Sequence, residues 1–186
     1  MEKEELKKII VAQNQIPGEN YIQREKYQKI IENLNNNFVI FISGLRRAGK
    51  TTLLNQIRKS NKENKYFLNF DDNRLINFKI EDFEKLYESM LELFNEENIY
   101  YFDEIQNIPQ WERFIRRLHN EGKKIIITGS NASMLSKEFA THLTGRHIEF
   151  ELYPFSFREY LKFKEQKIEK NDLYDIKKAI KIKKLF

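Results

Sequence analysis

The chain has 186 residues, a net charge of +5, no cysteine, and a composition that is 40% hydrophobic and 33% charged. This length suits one domain with a substantial core, and the lack of cysteine excludes disulfides, thiolate metal sites and cysteine nucleophiles. Lysines and arginines are spread along the chain with acidic residues between them, which is typical of a solvated surface. The charged start is unlike a signal peptide, and no apolar run approaches the ~20 residues of a membrane span. We therefore expect a soluble, cytoplasmic protein with no membrane contact.

The predicted elements begin with two amphipathic helices, which form an N-terminal helical segment, residues 1–37, packed on the core. Apolar residues recur at helical spacing in both helices, and Pro17-Gly18 separates them. Apolar strands then alternate with helices, and the strands are predicted at 38–42, 66–70, 99–102, 124–128 and 147–152. Helices are expected after each strand, including 132–141, a capped helix starting after Ser156, and a basic helix over 172–186. This alternation predicts an α/β protein with a parallel sheet and helices on both faces.

The first strand leads directly into a glycine-containing loop, GLRRAGKT, with the spacing G-x-x-x-x-G-K-[ST] of a phosphate-binding loop. Gly44 and Gly49 let the backbone curl so that successive N–H groups surround phosphate oxygens. Lys50 is expected to reach the β- and γ-phosphates, and the Thr51 hydroxyl to ligate Mg²⁺. The residues assigned to nucleotide binding are Gly44, Leu45, Arg46, Arg47, Ala48, Gly49, Lys50, Thr51 and Thr52. The alternative for Arg46 and Arg47, solvent-facing charges, is the better interpretation.

The third strand ends in Asp103-Glu104, which has the form of a second nucleotide motif. Asp103 would hold Mg²⁺ through its water shell, and Glu104 can polarise the water that attacks the γ-phosphate. Polar clusters close the other strands as well, at 71–72 and 130–131. Because ligands bind at the carboxyl ends of parallel strands, we expect one site there.

Five stretches together resemble prokaryotic AAA-type P-loop ATPases of the catalytic-glutamate class. These stretches are GLRRAGKTTLL, YFLNFDDNRL, IYYFDEIQNIPQWERFIRRL, IIITGSNASMLSKE and LTGRHIEFELYPFSFREYL, and they extend over about 38–161. The resemblance implies a P-loop NTPase three-layer α/β/α sandwich whose parallel sheet has the strand order 5-1-4-3-2. It also implies ATP rather than GTP as the nucleotide.

The resemblance implies two more catalytic residues besides Lys50 and Glu104. Asn131 resembles a sensor of the γ-phosphate or the attacking water, and a helix N-cap is an equally good, compatible interpretation. Arg146 would contact phosphate from the same or a neighbouring subunit, with a plain surface arginine as the alternative.

The resemblance also implies a division into a P-loop ATPase core, 38–165, and a basic helical tail, 166–186, that begins a missing lid or C-terminal domain. We expect Mg²⁺-dependent ATP binding and hydrolysis coupled to conformational change, slow in this chain. A homo-oligomer and an unidentified protein or DNA partner are compatible with the sequence. The alternative is a nucleotide-gated interaction module, or a DNA-associated switch, with little hydrolysis.

Overall fold

The computed structural model describes residues 1–16, 21–129 and 145–164. The helices are α1 (Lys3–Gln13), α2 (Glu25–Glu32), α3 (Lys50–Ser60), α4 (Asp82–Phe94), α5 (Trp111–Asn120) and α6 (Phe157–Phe163). The strands are β1 (Val39–Gly44), β2 (Phe67–Asn69), β3 (Ile99–Asp103), β4 (Lys124–Gly129) and β5 (His147–Leu152). Each predicted strand is present within two residues of its expected bounds. The predicted helices at 132–141 and 172–186 lie outside the described residues.

The five strands form one parallel sheet in the order β2-β3-β4-β1-β5. Read from its other edge, this is the predicted order 5-1-4-3-2, so the predicted P-loop fold is confirmed. Because the strands are parallel, all five carboxyl ends lie at the same end of the sheet, which is called the carboxyl edge here. The end of β1 has β4 on one side and β5 on the other, and β3 follows β4.

Helices cover both faces of this sheet, because the strand side chains alternate between two apolar clusters. In β1, Val39 and Phe41 join the cluster packed under α1, α4 and α5, whereas Ile40 and Ile42 join the cluster packed under α2 and α3. The near-continuous burial of β1, β3 and β4 is what a sheet covered on both faces requires. The three-layer arrangement follows directly from this alternation.

The N-terminal helices pack on opposite faces. The predicted apolar face of α1 packs on the core, and Leu6, Ile9 and Ile10 are all buried. In α2, Ile30 is buried while Tyr27 and Ile31 are only partly so, because this short helix covers the cluster from its margin. Within the described part of the chain, no helix combines the length and apolarity needed to cross a membrane.

The chain divides into two compact units, Met1–Pro154 and Phe155–Phe186. This division falls earlier than the predicted end of the core at 165, and the division into three segments stays a prediction. In the second unit the expected capping box is present. The Ser156 hydroxyl accepts from the Glu159 N–H and the Glu159 carboxylate accepts from the Ser156 N–H, so α6 begins where the S-x-x-E pattern indicated.

Gly44, the last residue of β1, lies very close to the backbone of β5. Gly44 pairs with Leu152 and has φ of +143°. A Cβ atom built on Gly44 would lie 2.1 Å from the Leu152 carbonyl oxygen. A glycine is therefore required here for the sheet to close, and not only for the phosphate loop to turn.

We predict that Gly44→Ala lowers the free energy of unfolding by about 3 kcal/mol or more, because the new methyl group meets a backbone carbonyl that cannot move aside. The matched control is Gly145→Ala. Gly145 also has positive φ, but a Cβ there meets no described atom within 4 Å, so only the backbone strain of about 1–2 kcal/mol remains. Urea unfolding of both variants would check this. Equal losses would contradict the proposed role of the Gly44–Leu152 contact.

Candidate functional site

The phosphate loop runs from the end of β1 to the start of α3. Gly49 adopts a left-handed conformation with φ of +92° and immediately precedes α3, and Arg47 is also left-handed with φ of 65°. The Ala48 N–H donates to the Leu45 carbonyl at 3.2 Å, which closes the loop on itself. Arg46 and Arg47 are exposed, in agreement with the solvent-facing interpretation. The positive end of α3 thus opens beside the curled backbone, an arrangement that favours anions.

Lys50 lies inside this loop, although lysine side chains are usually exposed. Its side chain is only 3% exposed, and Nζ donates to the carbonyls of Gly44 and Leu45 at 3.3 and 3.1 Å. The ammonium also lies 3.4 Å from Glu104 Oε1. A buried ammonium needs such partners, and a phosphate oxygen could replace them without moving the backbone.

Asp103 is the centre of the polar network behind the loop. Its carboxylate is fully buried and accepts hydrogen bonds from the Thr51 hydroxyl at 2.8 Å and from the Thr128 hydroxyl at 2.5 Å. Burial raises the pKa of Asp103, and the two hydroxyl hydrogen bonds oppose that shift. The carboxylate therefore joins the ends of β3 and β4 to the first turn of α3.

Glu104 follows Asp103 in a left-handed conformation, with φ of 51°, which turns its side chain back toward the loop. Its N–H donates to Thr128 Oγ1 at 3.0 Å, and Oε2 accepts from Gln106 Nε2 at 2.6 Å. Since Oε1 lies against Lys50, both carboxylate oxygens have partners. Glu104 is thus fixed beside the ammonium that is expected to bind the γ-phosphate.

The residues present fit Mg²⁺. Thr51 Oγ1 and Asp103 Oδ2 converge to 2.8 Å, and hydroxyl and carboxylate oxygens are ligands that this ion accepts. Among residues 1–16, 21–129 and 145–164, no group of three or more His, Asp or Glu side chains could hold a metal ion by itself. Such a pair suits an ion that takes its other ligands from phosphate and water.

The acidic pair after β2 consists of Asp71 and Asp72, and Asp72 stabilises the turn that follows it. Asp72 caps the 3-10 turn Asn73–Leu75, and its hydrogen bonds with Arg74 hold the pKa of this carboxyl well below its usual range. Gln13 of α1 donates to Asp72 as well, at 2.8 Å. A cavity of about 350 Å³ is lined by both acids and by Thr51, which places this pair near the phosphate loop. The predicted cluster at 130–131 lies outside the described residues, so the convergence of all the clusters on one site stays a prediction.

Arg146 lies far from the loop in its own chain. It directly precedes β5, its carbonyl accepts from the N–H of Val39 at the start of β1, and its guanidinium donates to Asn120 at 3.1 Å. The strands are parallel, so this is the amino edge of the sheet, about 17 Å from Gly44 along β1. A same-chain contact with phosphate is therefore wrong, and only the cross-subunit version stays a prediction. Asn131 lies outside the described residues.

Two residues of the site were missed from the sequence. Thr128 is the one hydroxyl in the apolar run of β4, and that contrast was an available signal. Arg24 is 5% exposed and donates to the carbonyls of Ala48 and Tyr153, both at 2.6 Å. No motif marks Arg24, because its partners are 24 and 129 residues away.

Comparison with known proteins agrees with this geometry. A family described as an AAA domain matches residues 36–161. An uncharacterized protein of Methanocaldococcus jannaschii is 43% identical over 135 residues, covering 72% of this chain and 30% of that protein. One of Haemophilus influenzae is 38% identical over 149 residues, covering 75% and 37%. This chain thus spans about a third of the length of these relatives.

Among solved structures, the ORC1 protein of Aeropyrum pernix, solved in complex with DNA, superposes with a TM-score of 0.50 at 13% identity. The match covers 84% of this chain and 52% of that chain, and it supports the fold alone. The family match over 36–161 extends over more than half of the chain and is decisive: the chain belongs to the AAA domain family, whose fold is that of the P-loop ATPases.

Proposed function

We propose that this chain binds ATP with Mg²⁺ and hydrolyses the γ-phosphate bond. The observation that carries the proposal is the network in which the Asp103 carboxylate accepts from Thr51 while Lys50 lies 3.4 Å from Glu104. In this network Lys50 would bind phosphate, Thr51 and Asp103 would bind the metal, and Glu104 would act as the general base. Nucleotide binding belongs to the family, whereas hydrolysis, metal dependence and the preference for ATP are our proposal.

In the proposed reaction, Lys50 exchanges its carbonyl partners for the β- and γ-phosphate oxygens. Glu104 accepts the proton of the attacking water while the water oxygen bonds to the γ-phosphorus and the bond to the bridging β-oxygen breaks, releasing ADP and phosphate. When bound, Mg²⁺ would supply charge neutralisation at these oxygens from its place on Thr51 and Asp103. Loop N–H groups and the helix terminus are already oriented, so catalysis is mainly electrostatic preorganisation.

A nucleotide-gated binding module remains the second candidate, because both oxygens of Glu104 are engaged by Lys50 and Gln106. A binder that hydrolyses little would keep Glu104 there with nucleotide bound. Hydrolysis requires that Glu104 leave Lys50 when phosphate arrives. The two candidates therefore differ in what happens at one carboxylate.

The deciding experiment compares Lys50→Ala and Glu104→Gln by calorimetry with ATP and by phosphate release. Lys50→Ala should abolish ATP binding, because the main cation of the loop is lost. Glu104→Gln should retain binding and lose turnover by on the order of a hundredfold or more, because an amide cannot accept the proton. Unchanged ATP affinity in Lys50→Ala would refute the site. Unchanged turnover in Glu104→Gln would show that Glu104 is not the general base, whereas ATP binding with no turnover in the unchanged chain would leave the binding module as the function.

Asp103→Asn should separate stability from metal use. Burial raises the pKa of Asp103, so the folded state binds a proton more readily than the unfolded state. The free energy of unfolding therefore falls as pH rises above the usual carboxyl range and Asp103 ionises. Without nucleotide and metal at pH 7, we expect Asp103→Asn to raise Tm, since an amide can keep both hydroxyl partners. The same variant should lose the effect of Mg²⁺ on ATP affinity. A lower Tm across pH 6 to 8 would contradict the first expectation, and retained Mg²⁺ dependence the second.

Arg146 provides a test of assembly. If it acts across a subunit interface, Arg146→Ala should lower kcat strongly while ATP affinity stays nearly constant, because the chain's own loop is untouched. Mixing Lys50→Ala chains with Arg146→Ala chains should restore part of the turnover. Arg116→Ala, at an exposed position on α5, is the matched control. Reduced turnover without rescue on mixing would contradict the cross-subunit role.

A further inference from the structure

Arg24 occupies a position that its residue type does not favour. It is the N-cap of α2, where Ser, Thr, Asp or Asn usually accept from the first turn, and it makes no side-chain cap. A cation at this end of a helix also opposes the helix dipole. The side chain is nevertheless 95% buried, so something other than α2 holds it.

Two partners of Arg24 lie at the phosphate loop and just beyond β5. Nη1 donates to the Ala48 carbonyl at 2.6 Å and Nη2 donates to the Tyr153 carbonyl at 2.6 Å. Both bonds are short and charge-assisted, the stronger kind of protein hydrogen bond. One guanidinium therefore bridges two backbone segments that are about a hundred residues apart in the chain.

The bond to Ala48 acts on a peptide group of the loop itself. The Ala48 carbonyl and the Gly49 N–H belong to the same peptide unit, and a cation on the oxygen polarises the N–H. Loop N–H groups of this kind are the donors that surround phosphate. A Cβ on Gly49 would come within 3.1 Å of Arg24 Nη1, so the guanidinium supports the loop from directly behind it.

The bond to Tyr153 connects the loop to the segment that leaves β5. Leu152, the preceding residue, already meets Gly44 at the start of the loop, and Arg24 adds a link at the end of the loop. Leu152 thus holds the start of the loop directly, and the next residue, Tyr153, holds its end through Arg24. Tyr153 is also the penultimate residue of the first compact unit, Met1–Pro154.

We propose that Arg24 is a positioning residue that holds the phosphate loop in its binding shape and couples nucleotide occupancy to the end of β5. The inference rests on the proposed function, because it concerns how the same loop binds ATP. Arg24 touches no reacting atom. It acts through the Ala48–Gly49 peptide on one side and the Tyr153 carbonyl on the other.

The first test measures ATP affinity by calorimetry on the full 186-residue chain. Arg24→Met should weaken binding on the order of tenfold to a hundredfold, which corresponds to the loss of charge-assisted hydrogen bonds. Arg24→Lys should lie between Arg24→Met and the unchanged chain, because an ammonium lacks the planar fork that spans two carbonyls. Arg116→Met is the matched control, since it removes the same charge from an exposed site and should leave affinity unchanged.

The second test separates positioning from a structural role. In the unchanged chain, saturating ATP should slow amide hydrogen exchange both in a loop peptide, residues 44–52, and in a peptide spanning 150–156. In Arg24→Met with enough ATP to saturate it, the loop peptide should still be protected and the 150–156 peptide should not. A purely structural arginine would instead change exchange equally with and without ATP.

The outcomes distinguish this inference from the proposed function. If the unchanged chain does not bind ATP, or Lys50→Ala binds it equally well, the proposed function fails. If those controls behave as expected but Arg24→Met matches Arg116→Met in affinity, the inference alone is overturned. Should Arg24→Met fail to fold by circular dichroism, Arg24→Lys decides: unchanged affinity and unchanged ATP protection at 150–156 overturn the inference.

Discussion

The buried Asp103 carboxylate is the constraint on which the rest of the site depends. A charge without water is costly unless hydrogen bonds compensate it, and here two hydroxyls, from Thr51 and Thr128, perform that role. These bonds fix the end of β3 against β4 and against the first turn of α3. Glu104 is then oriented through its own N–H bond to Thr128. The sheet edge is thus organised around a group whose burial disfavours the folded state, as is common at functional sites.

Local patterns were enough to predict the α/β class, the parallel sheet and the phosphate loop. The strand run before Gly44, the loop spacing and the two acids after β3 are each contiguous in sequence, so their physical roles could be inferred without knowledge of distant contacts. For the same reason Lys50, Thr51, Asp103 and Glu104 were identified together and are found within one hydrogen-bonded network. The strand order 5-1-4-3-2 was implied by the resemblance to the P-loop ATPases, and the structure has that order.

The residues that sequence reasoning placed wrongly or missed depend on contacts between distant segments. Arg146 precedes a strand, and a residue before a parallel strand lies at the opposite edge from the loop, which the sequence interpretation overlooked. Arg24 donates to backbone carbonyls. Every residue has a backbone carbonyl, so the residue types of Ala48 and Tyr153 do not reveal this contact. For Gly44, one role was predicted from the sequence and a second was not. Its place in the motif was clear and the implied strand order put β5 beside β1, but its contact with Leu152 depends on the register of the two strands, which no local pattern carries.

The ion pair of Lys50 and Glu104 links binding to catalysis under the proposed function. In this arrangement the ammonium is compensated by two carbonyls and a carboxylate, and the carboxylate by an ammonium and an amide. An arriving γ-phosphate competes with Glu104 for the same cation. Binding therefore weakens the contact that restrains the general base, and the base becomes available only when a substrate phosphate is present. Because the Lys50 side chain is already buried, the exchange of one anion for another adds little desolvation cost on the lysine side, and the loop N–H groups and the helix terminus offset the desolvation of the phosphate.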